Sequence, residues 1–226
     1  MVSDILKTII DVLKLTKERE ELSLSDPMMT ELLMQLGLLH TNEDIIIIDR
    51  IQRIYLAETA VKQGASIGEI VEFLTWKDFE GFVASILTTH NYRCVESFRR
   101  RGNSTIRGME IDVIGVRGAT IIAIDAKMWG IRSGKAAALR TAAEKQKIRT
   151  QELSDELDRL SKKISNLHAR EYQLFPVLVT WLVEEVELHG GVPVVPIFKL
   201  NSFILDFDQY EDLMVCYSGK YNGPST

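Results

Sequence analysis

Two apolar strands that carry acids at alternate positions constrain this chain more than any other stretch. They are Glu110-Ile111-Asp112-Val113-Ile114-Gly115 and Ile121-Ile122-Ala123-Ile124-Asp125-Ala126-Lys127, parted by a short turn at Arg117-Gly118. That pattern predicts a β-hairpin. Residues two apart in a strand share a face, so Glu110 and Asp112 point one way, Ile111 and Val113 the other. On the second strand Asp125 and Lys127 share a face, with Ile124, Ala126 and Met128 packed behind. Antiparallel pairing brings Asp112 near Asp125 and Lys127. Two carboxylates beside an ammonium suit a divalent cation acting on phosphate. Asp125-Ala126-Lys127 is the only acid-x-Lys triplet in the chain. The hairpin taken alone also fits solvated charges on a half-exposed sheet.

The residues upstream favour the first reading. From Thr75 to Leu87 apolar residues recur at helical spacing, and Thr75 with Asp78 forms an N-cap arrangement. Glu80 sits one turn inside that helix, beside Phe79 and Phe82. The helix is expected to end near His90-Asn91, and Tyr92-Arg93-Cys94-Val95 to begin a short strand. Helix, strand, acidic strand, Asp-x-Lys strand, long helix and further strand follow in order. That order, with those residues, resembles the PD-(D/E)xK nuclease superfamily, in its Mrr-like and archaeal Holliday-junction-resolvase branch. The resemblance covers roughly residues 70 to 200.

The resemblance implies a restriction-endonuclease-like fold: an α/β mixed sheet flanked by helices, behind a mostly helical N-terminal domain. It implies that Asp112 is the first metal-binding acid, Asp125 the second and Lys127 the motif lysine. The Ala126 carbonyl would complete the metal site, and Glu80 would be the glutamate that this branch adds from its helix. Gln146 is the candidate for a glutamine near the site on the helix that follows. Two departures stand out: Ile111 rather than proline precedes Asp112, and the second acid is Asp rather than Glu. The implied activity is a Mg²⁺- or Mn²⁺-dependent endonuclease hydrolysing DNA phosphodiester bonds. The alternatives are a structure-specific junction or flap nuclease in DNA repair, and an inactive DNA-binding or regulatory protein on the same fold.

At 226 residues, 46% hydrophobic, the chain is long enough for one large or two small cores. Cys94 and Cys216 are isolated, which fits a reducing cytoplasm and no disulfide framework. The four histidines lack zinc-ligand spacing. Ser3-Asp4 precedes an amphipathic helix rather than a secretory leader, and the longest charge-free apolar run, Leu174 to Val183, is too short to cross a bilayer. Net charge is −5, yet residues 93–149 hold 13 Lys/Arg against 5 Asp/Glu. A local basic surplus around an acidic site is what DNA phosphate calls for. The expected DNA contacts are Arg99, Arg100 and Arg101, read as a basic loop, together with Arg107, Arg132 and Lys135.

Three parts are expected: a helical domain over residues 1–65, a nuclease domain over 66–216 and a loose tail over 217–226. In the first, helices are expected around Ile5–Leu13, from Pro27 to a stop at Gly37, and around Ile51–Val61. Ile45 to Ile48 is expected as a short strand, and Ile67 to Leu74 as a linking helix. The order resembles a winged helix-turn-helix without a basic recognition helix. Nothing between Lys135 and Tyr172 breaks a helix, so one long helix or a kinked pair is expected. Its Leu153, Leu157, Leu160, Ile164 and Leu167 have heptad spacing, suiting either a dimer seam or a stripe packed on the sheet. A homodimer is expected, because cutting both strands of a duplex takes two sites related by twofold symmetry. Leu174 to Val183 and Val192 to Ile197 read as strands, and Asn201 to Met214 as a final helix.

Overall fold

The structure, a computed structural model, describes residues 2–39, 44–102, 107–129 and 134–223. The chain divides into two compact units, Met1–Phe82 and Val83–Thr226. The boundary falls inside a helix rather than at residue 65.

The first unit holds α1 (Val2–Leu15), β1 (Glu21–Ser23), α2 (Pro27–Gln35), β2 (Ile45–Ile47), α3 (Arg50–Lys62), α4 (Ile67–Val71) and the start of α5 (Trp76–Thr89). Its helices begin and end on local signals. Asp26 caps α2 through the Met28 amide, with Pro27 in the first turn. Gly37, at φ +69°, ends α2 with Gly37 N donating to Met34 O and Leu38 N to Leu33 O. That is a Schellman turn. Asp49 and Gln52 form a reciprocal capping box at α3. β1 was not expected; Leu22 is its one buried position, too brief a pattern to read, and it pairs antiparallel with β2.

Arg53 is the polar hub of this unit. Its guanidinium is buried, lies 3.0 Å from the Asp78 carboxylate, and donates to Leu13 O, Thr16 Oγ1 and Phe73 O. Arg50 donates to Lys77 O. These long side chains draw residues 66–82 into the first unit, where the sequence placed them with the nuclease domain.

The second unit is a seven-stranded mixed sheet with order β3-β4-β5-β6-β8-β7, and β9 beside β6. Its strands are β3 (Arg93–Arg100), β4 (Met109–Arg117), β5 (Thr120–Lys127), β6 (Arg170–Thr180), β7 (Leu188–His189), β8 (Val192–Pro196) and β9 (Tyr217–Tyr221). Helices α6 (Lys135–Ser154), α7 (Leu157–Ser161), α8 (Ile197–Leu205) and α9 (Phe207–Tyr210) join them, with a 3-10 turn at Glu211–Leu213. The expected mixed α/β architecture, a multi-strand sheet with helices and a helical N-terminal part, is the one observed. The β4–β5 hairpin forms as expected, with Arg117 opposite Thr120 and Gly118 at φ +61° in a two-residue turn.

Four expectations need correction. Of the two expected forms the pair is observed, but it ends at Ser161 rather than Tyr172: α6 stops at Ser154 and only the short α7 follows, because Leu153, Leu157, Leu160 and Ile164 turn into the sheet instead of along one straight axis. They are buried with Phe98, Ile114, Ile121, Leu174 and Tyr172. The heptad stripe is therefore core and not a dimer seam. Secondly, β6 starts at Arg170, four residues before its apolar run, because β9 pairs with residues 170–174. That pairing is the third correction: Tyr217–Tyr221, read as loose tail, is a strand, anchored by buried Tyr221. The final helix also begins earlier, at Ile197, and breaks at Asp206.

If the stripe is core, Leu160→Ala should cost about 2–5 kcal/mol of unfolding free energy. Urea denaturation reads this directly. A variant as stable as the wild type but of lower mass in light scattering would return the stripe to an interface.

Candidate active site

The site grows from the place where the β4–β5 ladder ends. The pairing runs from Arg117↔Thr120 to Val113↔Ile124; one step further, Asp112 and Asp125 would be partners. The regular register stops short of that pair. Instead the Asp112 carboxylate accepts from the Ala126 amide at 2.8 Å, so a side chain takes over where the ladder stops. On the other flank of β4, pairing with β3 skips Ser97, which lies at φ +50° between Glu96↔Val113 and Phe98↔Ile111. The regular register of β4 is thus broken on both sides at the level of Asp112.

Asp125 is buried, 2% exposed. Its two oxygens meet different cations: Lys127 Nζ lies 2.7 Å from Oδ2, and Arg149 Nη1 lies 2.9 Å from Oδ1. The expected meeting of Asp125 and Lys127 is therefore present. Arg149 enters the sequence reading only as part of the basic surplus over residues 93–149. Its signal was the spacing of Ala138, Thr141, Ala142, Lys145 and Arg149, which places them on one face of α6. With Asp125, Lys127 and Trp129 they line a hollow of about 380 Å³. Lys127 Nζ also lies 5.7 Å from the Trp129 ring centroid. A smaller hollow of about 130 Å³ shares Lys145 and Arg149 and adds Arg107, Gly108, Ile148 and Glu152. A larger cavity of about 530 Å³, between Val183 and Met214, contains none of the expected site residues.

Other expected residues lie elsewhere or are engaged. Glu80 is buried in the first unit, 2.8 Å from Lys77. Gln146 is fully buried; its amide donates to Ala123 O at 2.9 Å, while its own oxygen has no hydrogen-bond partner among the described residues. It fastens α6 to β5 and does not line the hollow.

The basic loop is mostly strand. β3 runs through Arg100 because residues 93–100 find partners along β4. Arg99 forms an ion pair with Glu110 at 2.7 Å. Arg100, its side chain 10% exposed, reaches Glu152 at 2.6 Å and Glu156 at 3.3 Å. Lys135 pairs with Glu184 at 2.6 Å and donates to Trp129 O. Arg100 and Lys135 are largely buried against acids distant in sequence, whereas the Arg99–Glu110 pair is exposed to solvent. Arg101 and Arg107 are exposed. Arg132 lies outside the described residues.

Cysteine chemistry has no place here. Burial pushes the Cys94 thiol up to about 11, against a weaker opposing hydrogen bond from Thr88, so it is a neutral thiol near pH 7. Among the described residues no three His, Cys, Asp or Glu side chains gather into a metal cage, and no helix is long and apolar enough to cross a membrane.

No family model matches the chain. An uncharacterized protein of Archaeoglobus fulgidus is 28% identical over 137 residues, 61% of this chain and 95% of that protein. Two solved structures align at low similarity. Protein VC1899 from Vibrio cholerae gives 15% identity and a TM-score of 0.35, covering 94% of this chain and 52% of its own. Can2 from Sulfobacillus thermosulfidooxidans, solved with cyclic tetra-adenylate (cA4), gives 9% identity and a TM-score of 0.36, with 93% and 53% covered. The chain spans about half the length of these two.

Arg100→Ala is expected to cost about 1–3 kcal/mol of stability by stripping two acids of their partner. Its effect on the salt dependence of DNA binding should be small. A stable Arg100→Ala protein with a flattened salt slope would show that this arginine faces DNA after all.

Proposed function

We propose that this chain is a nuclease that hydrolyses DNA phosphodiester bonds with Mg²⁺ or Mn²⁺. The observation that carries the reading is the pair of acids at the end of the β4–β5 ladder. Asp112 is bonded to the Ala126 amide, and Asp125 is ion-paired with Lys127. The donor set fits the ion. Asp112, Asp125 and the Ala126 carbonyl are hard oxygen donors, and Mg²⁺ is commonly held by one or two carboxylates with water filling the remainder. Once bound, the ion would polarise a phosphoryl oxygen and make its water more acidic.

The chain's own residues supply the rest. Lys127, held against Asp125, would orient the attacking water and offset charge developing on the pentavalent phosphorus. The Ala126 amide steadies the Asp112 carboxylate, which fixes the spacing of the two acids. Lys145, exposed on α6 at the rim of both hollows, would hold backbone phosphate. Junction or flap substrates fit the same chemistry, and so does repair. A homodimer is proposed for cutting both strands, on a surface other than the buried Leu153–Ile164 stripe.

One observation favours a second reading, a DNA-binding protein on this fold without cleavage: both Asp125 oxygens are already paired with cations. Labelled linear duplex, single strand and four-way junction, incubated with Mg²⁺ or Mn²⁺, separate the two. Cleavage of one of them is expected. Lys127→Ala should lower it by about 100-fold or more while leaving binding within about twofold, because the ammonium acts mainly in the transition state. Binding of all three without cleavage under either metal would favour the second reading.

A further inference from the structure

We infer that Arg149 is a resident counter-ion of Asp125 that a divalent cation displaces, freeing the guanidinium for nucleic-acid phosphate. The inference rests on the nuclease reading above and deepens it. Asp125 is almost wholly buried, and a buried carboxylate needs compensating positive charge. Here it has two cations, one on each oxygen, which is more than a single carboxylate requires. They are held differently. Lys127 comes from the same strand, two residues on, and its side chain is 21% exposed. Arg149 comes from α6, and its side chain is 32% exposed.

Its hold is also weak in form. Arg149 makes one hydrogen bond to Asp125, through Nη1, rather than the two-pronged fork that makes arginine–carboxylate pairs strong. Arg149 borders both hollows, the one that contains Asp125 and Lys127 and the one that contains Arg107. The guanidinium can therefore leave Oδ1 by side-chain rotation and remain in a phosphate-sized basic recess. A cation arriving at Asp125 needs an oxygen that Arg149 covers, and like charges at that range repel. Ion and guanidinium therefore compete. By reciprocity, the ion that weakens Arg149's hold on Asp125 is itself weakened by that hold.

The test reads metal binding and needs no cleavage. Mn²⁺ is titrated by calorimetry into wild type, Arg149→Met, Arg149→Lys and Asp125→Asn, all without DNA. Arg149→Met should bind Mn²⁺ about tenfold more tightly than wild type, within the usual range of coupling between sites. Mn²⁺ should also raise its melting temperature more. Arg149→Lys, with a shorter arm, should fall between the two and carries the comparison if the methionine variant does not fold. Fluorescence anisotropy with a labelled oligonucleotide supplies the second half. Mn²⁺ should strengthen DNA binding by the wild type more than by Arg149→Met.

Equal Mn²⁺ affinity in wild type and both Arg149 variants, abolished by Asp125→Asn, would overturn the displacement and leave the metal site standing. Absence of Mn²⁺ binding in every variant would remove the metal site, and this inference with it.

Discussion

Asp125 is a carboxylate with 2% of its surface left in water, and the second unit sets a cation against each of its oxygens. Removing one partner from a buried ion pair typically costs about 3–5 kcal/mol, so its counter-ions are structural as well as chemical. Lys127 answers one oxygen from within the strand. Arg149 answers the other from α6, and Gln146 fixes the same helix to Ala123 O. Arginine and glutamine are one turn apart, and their bonds reach alternate residues of β5. Helix and strand are thereby held in one register, and that register sets the width of the hollow between them.

The same strand end explains how the Asp112 carboxylate comes to the Ala126 amide, next to Asp125 in the chain. The regular β4–β5 register ends at Val113, and one residue further the Asp112 side chain accepts from the Ala126 amide. Ser97, at positive φ, interrupts β4 on its other side. Positive φ is costly for a residue with a Cβ and persists where surrounding structure enforces it. Here that structure is a long, otherwise regular β3–β4 ladder. The backbone on both sides is rigid, and the irregular step is confined to the level of the acids. Binding geometry held by strands is better fixed than geometry held by loops.

What the sequence made legible was local. Alternation along Glu110–Gly115 and Ile121–Lys127, the Thr75/Asp78 cap and the Pro27–Gly37 helix each rest on residues within one turn or one hairpin. The structure keeps them: Thr75 N donates to Asp78, and Asp78 N to Thr75. What was illegible depends on partners far along the chain. Arg100 reads as a solvated loop residue until Glu152 and Glu156 are known to face it, 52 and 56 residues on. Arg53 has no sequence pattern that would set it between Leu13, Phe73 and Asp78. The end of α6 lacks Gly or Pro because packing of Leu157 and Leu160 into the core, rather than a breaker residue, turns the chain. Periodicity found the right residues there and the wrong axis.

Charge shows the same division and changes the expected footprint. The basic surplus in residues 93–149 reads as a broad phosphate-binding surface, yet much of it is consumed internally. Arg99, Arg100, Lys127, Lys135, Lys147 and Arg149 each face an acid, and Arg117 lies over the Tyr92 ring at 4.6 Å. Among the described residues, Arg101, Arg107, Arg140 and Lys145 make no such pair. Each phosphate neutralised adds close to one unit of salt slope. A footprint drawn from these few is therefore small, and its affinity would rise only if an internal cation were released toward the substrate. Arg149, singly bonded and bordering both hollows, is the cation placed to be released. On this arrangement the site's grip on phosphate grows when its carboxylate finds another positive partner.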